Sequence, residues 1–353
     1  MPKDTAFERS IDATLVYVND DDPGVRRSLA ADGWRYFGVD GKRLKDPDVL
    51  ARIQALAIPP AWTEVWICPA ANGHIQATGR DAKGRKQYRY HQAWRHDRDG
   101  TKFERMIAFG RALPRLRARI EKDLRRRDLP REKVIAAVVR LMELTLIRVG
   151  NEVYVRENKS FGLTTLRDRH AILTGVGGTF EFKGKSGKTH KTGFRDRRLA
   201  RIVKACRDIP GQRLFQYFDV EGVRRSVESA DVNAYIREAM GENFSAKDFR
   251  TWAGTLGAAR ALCQRPRAAS ASEAKRNVAA CVKAVAGLLG NTAAVCRGSY
   301  IHPLVLEAYE QGALPLKPGR SARAFELAVI RFLEAAQASC RDDLRNAELR
   351  PSV

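Results

Sequence analysis

Apolar and polar positions along the chain change rhythm near residue 95. Ahead of that point, short aromatic and β-branched runs, WRYFGVDGK (34–42), EVWICPAANGHIQATGRD (64–81) and RKQYRYH (85–91), are broken by Gly, Pro and Asp. That pattern predicts strands joined by tight turns. From about Trp94 the period becomes helical. In LPRLRARIEKDLRRRDLP (113–130), Leu113, Leu116, Ile120 and Leu124 recur at helical spacing with arginines on the other face. The run EKVIAAVVRLMELTLIRVGNE (132–152) is apolar nearly all round, as expected of a helix buried inside a domain. GGTFEFKGKSGKTHKTGF (177–194) interrupts the helices with a hairpin, Phe180 and Phe182 sharing one face before a Gly-rich turn and a polar return strand. From Arg195 to Gly290 the rhythm is again mostly helical. The pattern predicts an α+β chain: a β-rich N-terminal domain over residues 1–95 and a larger, mainly helical domain over 96–353 carrying the hairpin insertion.

Charge narrows the partner. The 353 residues include 64 Lys and Arg against 41 Asp and Glu, a net charge of +23. Neutralising phosphates releases their counterions, so such an excess favours a polyanion, nucleic acid first and an anionic membrane surface second. The opening MPKDTAFERS lacks an apolar core, and no apolar run approaches the roughly 18 residues of a membrane span. A cytoplasmic, nucleoid-associated protein is expected. Cys68, Cys206, Cys263, Cys281, Cys296 and Cys340 are scattered, which predicts reduced thiols and no structural zinc.

Four residues stand out chemically. Arg148 continues the apolar stripe Val134, Val138, Leu141, Thr145. An arginine there cannot shed its charge and needs an anion, either an internal carboxylate or an external ligand. Lys185 sits in the hairpin turn, as a solvated turn residue or as a mobile proton donor. GKSGKT suggests a phosphate-binding loop, but Phe182 occupies the required first glycine and the flanks read as a hairpin, so no ATP site is expected. Arg250 lies in an amphipathic segment beside Phe249 and Trp252. Tyr300 follows a loop-like run of small residues, Thr292 to Ser299. Guanidinium groups grip phosphate oxygens and stabilise a pentavalent transition state, and a tyrosine can attack phosphorus.

IRVGNE (147–152), KGKSGK (183–188), DFRTW (248–252) and GNTAAVCRGSYIHP (290–303) resemble, in this order, the active-site motifs of type IB DNA topoisomerases. The small poxvirus-like and bacterial form is most similar, and IPPAW (58–62) and TGRDAKGRKQYRYH (78–91) resemble its N-terminal segments. The resemblance runs from about residue 33 to 310. It implies a two-domain, monomeric clamp on double-stranded DNA with no cofactor and no metal. Tyr300 would form a 3′-phosphotyrosyl bond, Lys185 would protonate the 5′-oxygen, and Arg148 and Arg250 would hold the nonbridging oxygens. Viral and eukaryotic members carry a histidine nine residues before the tyrosine. Asn291 stands there in this chain, as in some bacterial members. A hydrogen-bond donor or a helix cap are its alternatives. Gln87, Tyr88, Tyr90 and Tyr154 match DNA-contacting positions. Tyrosine recombinases share the Arg/Lys/Arg/Tyr logic, but usually carry His where this chain has Lys247 and lack such an N-terminal domain. A non-catalytic DNA-binding protein would explain the charge but not these four residues in this order.

Overall fold

A computed structural model describes residues 15–31, 33–82, 84–241, 244–318 and 321–348. The chain divides into two compact units, Met1–Phe103 and Glu104–Val353. The first contains β1 (Val25–Ala30), β2 (Gly33–Phe37), α1 (Pro47–Ala55), β3 (Thr63–Ile67), β4 (Ile75–Arg80) and β5 (Lys86–Tyr90). The strands form one antiparallel sheet in the order β2-β1-β3-β4-β5, with β5 at an edge. Val25, Ile53, Ile67 and Ala77 form its core, with Tyr36, Leu44 and Val49 packed around them. The apolar rhythm gives no sign of helix α1. Its start is nonetheless written in the sequence: the Asp46 side chain accepts from Asp48 N and Val49 N, and Pro47 opens the first turn.

Helix α2 (Gln92–Leu124) spans the boundary between the units. It is followed by α3 (Arg131–Thr145), α4 (Glu152–Asn158), β6 (Ala171–Thr174), β7 (Gly177–Lys183), β8 (Thr189–Phe194), α5 (Arg197–Arg207), β9 (Gln216–Phe218) and β10 (Arg224–Ser226). The helices α6 (Ser229–Met240), α7 (Ala246–Cys263), α8 (Ala271–Leu289), α9 (Ala293–Tyr300), α10 (Pro303–Glu310) and α11 (Ala322–Glu348) complete the second unit. The result is an α+β chain, as the rhythm predicts.

Helix α3 is the centre of the second unit. Val134 through Val139, Leu141 and Met142 are all buried, which accounts for a sequence apolar on every side; each buried Val, Ile, Leu or Met side chain contributes about 1.5–3 kcal/mol. The predicted hairpin is β7–β8, paired in register from Gly178↔Phe194 to Lys183↔Thr189, and β6 adds a third strand on β7. Phe180 and Phe182 both point into the core. Among the described residues no single helix is long and apolar enough to cross a membrane.

Candidate active site

The end of α3 shapes one wall of the site. Thr145 Oγ1 bonds back to Leu141 O at 2.6 Å, and Leu146 turns left-handed at φ 56° while its N–H returns to Met142 O. A β-carbon makes that conformation costly, so it persists only where the surroundings impose it. Here the Leu146 carbonyl accepts from Arg250 Nη1. Arg148 therefore sits past the helix in an irregular segment, not on the helical stripe that its spacing suggests. A second strand of backbone holds that segment: Leu163 N donates to Arg148 O at 2.9 Å and Thr164 N to Val149 O at 2.7 Å. A Cβ on Gly162 would lie 2.5 Å from Gly150 Cα and 2.6 Å from Arg148 O, so only glycine permits this approach.

Arg250 comes from the first turns of α7, where the Asp248 carboxylate accepts from Ser245 N at 2.8 Å and fixes the helix start. It is 5% exposed. Its Nη2 donates to Leu289 O at 2.6 Å, and its Nε has no hydrogen-bond partner among the described residues. Burial, with Arg148 nearby, lowers the Arg250 pKa, and Tyr300 opposes that shift through a side-chain hydrogen bond and its charge. An arginine nevertheless stays charged. The guanidinium lies over the Tyr300 ring, 5.3 Å from its centroid.

Tyr300 is the last residue of α9, which corrects the loop-like reading of Thr292 to Ser299. The Thr292 side chain accepts from Val295 N and starts the helix. Pro303 disfavours a helical His302, so the helix stops at Tyr300 and Ile301 is extended. Thr292 thus takes the capping role, which removes the cap alternative for Asn291. Asn291 Oδ1 accepts from Arg148 Nη2 at 2.6 Å. A guanidinium only donates, so the amide orientation is settled by chemistry. Its Nδ2 is left buried with no hydrogen-bond partner among the described residues. No carboxylate among the described residues pairs with Arg148 or Arg250, which leaves the external-anion alternative for Arg148.

Arg148, Lys185 and Arg250 line one cavity of about 380 Å³, together with Lys188, His190, Lys191 and the Gly287–Gly290 turn. No Asp or Glu lines it. A neighbouring cavity of about 700 Å³ carries Arg156, Lys159, Arg167, Arg169 and Lys183 beside a single carboxylate, Glu181. Lys191 pairs with Glu181 at 3.3 Å. The other four cations, Arg148, Lys185, Lys188 and Arg250, have no counter-carboxylate among the described residues and form a site for an anion, and the adjoining basic groove suits a polyanion.

Two family matches divide along the chain. Residues 91–317 match the family described as eukaryotic DNA topoisomerase I, catalytic core, and residues 33–81 match bacterial DNA topoisomerase IB, N-terminal domain. DNA topoisomerase 1B of Acanthamoeba polyphaga mimivirus is 35% identical over 294 residues, covering 81% of this chain and 88% of that protein. DNA topoisomerase 1B of Vaccinia virus (strain Copenhagen) is 21% identical over 288 residues, covering 77% and 88% respectively. The chain belongs to the type IB DNA topoisomerase family. The family's catalytic-core match contains Arg148, Lys185, Arg250, Asn291 and Tyr300.

The DNA-contact candidates are more scattered. Gln87, Tyr88 and Tyr90 lie on β5, between the two matched segments of this topoisomerase. Tyr88 and Tyr90 stack at 5.8 Å with 13° between their planes, and Tyr88 is 42% exposed. Gln87, one position out of phase, falls on the opposite face of the strand and donates to Asp81 Oδ2 at 3.0 Å. Tyr154 falls on α4, and its side chain lies outside the described residues. His190 and Gly254 also lie beside the active-site candidates, and nothing in their spacing marks them. Gly254 of α7 meets Tyr300 at the end of α9, and His190 of β8 meets Gly290 just after α8, contacts between elements that no local pattern shows.

Proposed function

We propose that this type IB topoisomerase relaxes supercoiled duplex DNA as a monomer in the cytoplasm, on the nucleoid, by cutting one strand, letting it swivel and resealing it, without ATP. The Tyr300 oxygen attacks a backbone phosphorus while the phenolic proton departs to solvent. The bond to the 5′-oxygen breaks, a 3′-phosphotyrosyl bond forms, and Lys185 gives its proton to the leaving oxygen. Arg148 and Arg250 hold the nonbridging oxygens, and Asn291 adds a hydrogen bond through Nδ2. Religation reverses these steps. The phosphodiester energy is kept in the tyrosyl linkage, so no nucleotide is consumed, and the arginines supply the charge that a metal could otherwise bring.

The observation that carries this reading is a cluster of four cations, Arg148, Lys185, Lys188 and Arg250, that no carboxylate among the described residues pairs with, and whose buried Arg250 guanidinium lies on the Tyr300 ring. A phosphate brought there would meet fixed positive charge beside a nucleophile. Relaxation of a negatively supercoiled plasmid in EDTA, with no ATP and no designated target sequence, tests it. Stepwise loss of supercoils is expected. An intact supercoiled population at equimolar enzyme would overturn the reading.

A further inference from the structure

His190 is the second residue of β8, and its ring stacks on Phe182 with centroids 5.5 Å apart and planes at 16°. Two glycines press on its edge. A Cβ built on Gly184 would lie 2.4 Å from His190 Cδ2, and one on Gly290 would lie 2.5 Å from Cε1. Gly184 immediately precedes Lys185, and Gly290 immediately precedes Asn291. The imidazole is thus the piece of protein held between the turn that carries Lys185 and the turn that carries Asn291.

Each turn is closed on itself. Gly184 N donates to Lys188 O at 2.9 Å, and Asn291 N donates to Ala286 O at 2.9 Å behind the left-handed Gly290. Movement of the ring therefore moves each turn as a unit. Resting on the proposed reaction, we infer that His190 is a positioning residue, a wedge that fixes the Lys185 turn against the Arg148–Asn291 pair and so sets where the proton donor sits.

The wedge must be uncharged. Arg148 from the segment after α3, Arg250 from α7 and Lys188 from the hairpin face the ring, and Lys185 and Lys191 line the same cavity. Burial and the first three of these cations hold the His190 pKa below its ordinary value. Its Nε2 is buried with no hydrogen-bond partner among the described residues, which suits a ring used for its shape.

Single-turnover cleavage separates a positioning role from a merely structural one. His190→Ala should cut an ordinary phosphodiester about 10²-fold more slowly, the cost of a misplacement near 1 Å. On a substrate with sulfur at the 5′-bridging position the leaving thiolate needs no proton, and the deficit should shrink to less than about tenfold. Gly184→Ala, whose new methyl would strike the ring, should slow wild type comparably and add less than about threefold in the His190→Ala background. An equal deficit on both substrates, cleavage by His190→Ala within about fivefold of wild type, or additive losses in the double variant would each overturn the inference. Lys185→Ala run alongside tests the reaction itself. Without sulfur rescue there, Lys185 is not the acid, and the Gly184–His190 coupling alone decides whether the wedge exists.

Discussion

Replacing Gly254 with alanine should disable the enzyme while leaving it folded. Gly254 lies one turn beyond Arg250 on the same face of α7, and a Cβ built there would lie 2.2 Å from Tyr300 O, 3.1 Å from Tyr300 C and 3.2 Å from Tyr300 Cβ. Ordinary contact begins near 3.4 Å, so the backbone of α7 and the end of α9 must part by about 1 Å. Two opposing effects set the stability change. Overpacking costs about 1–3 kcal/mol, whereas replacing a helical glycine by alanine returns about 1 kcal/mol. The net loss is then about 0–2 kcal/mol, too little to unfold a typical domain. The kinetic effect is larger. Tyr300 is the terminal residue of its helix and has its ring beneath Arg250, and a 1 Å displacement of a nucleophile costs about 10² in rate. Single-turnover cleavage of a nicked DNA substrate, read beside DNA affinity and Tm, should show that loss with affinity nearly unchanged. Gly257→Ala on the same helix is the control, because its methyl would stand 3.6 Å from Val285 Cγ2 in ordinary contact. Wild-type cleavage by Gly254→Ala at unchanged Tm would refute the reasoning.

Asn291→Ala should lower single-turnover cleavage by about 10² to 10³, the usual contribution of one oxyanion donor, while Asn291→His keeps much of the activity; a loss in alanine below about fivefold would remove the donor role. His302 is 3% exposed, caps α10 through Nδ1, and is held by burial at a pKa of about 4 against an ordinary 6.5. Above pH 6.5 both folded and unfolded states are neutral there, and as pH falls toward 4 the unfolded state takes up the proton first. Wild type should therefore lose about 3 kcal/mol over that window, and His302→Asn, which can still cap, should lose that much less in urea titrations at each pH. Tyr88→Ala should weaken DNA binding or shift the cleavage pattern more than Gln87→Ala, since Gln87 is tied to Asp81; equal effects in a binding titration would count against that ordering.

Local rhythm made the large elements readable and left the fine geometry hidden. The buried α3 was legible because an apolar run on every side of a helix requires burial, and the β7–β8 hairpin because Phe180 and Phe182 share a face ahead of a Gly-rich turn. Helix α9 was not. Thr292 and the alanines after it favour a helix, but Gly298 and Ser299 weaken its local preference, and seating of Tyr300 on Gly254 of α7 supplies what they lack. Apolar spacing carries the helix on to Arg148 because the left-handed Leu146 leaves no mark on it. The orientation of Asn291 depends on Arg148, 143 positions away, and the far side of the His190 wedge is Gly290 of another element, so no short window of sequence contains both partners. The order of the active-site motifs was visible nonetheless, since each motif is a short contiguous run.

The most direct test of the central claim is to trap the covalent intermediate and identify the linked residue. Wild type mixed with duplex DNA and stopped with denaturant should give a protein–DNA adduct joined at a 3′-phosphate, and peptide mass mapping should place the nucleotide on Tyr300. Tyr300→Phe should bind the same duplex with similar affinity and give no adduct. A denaturant-resistant adduct from Tyr300→Phe, or a nucleotide mapped to any other residue, would contradict the account.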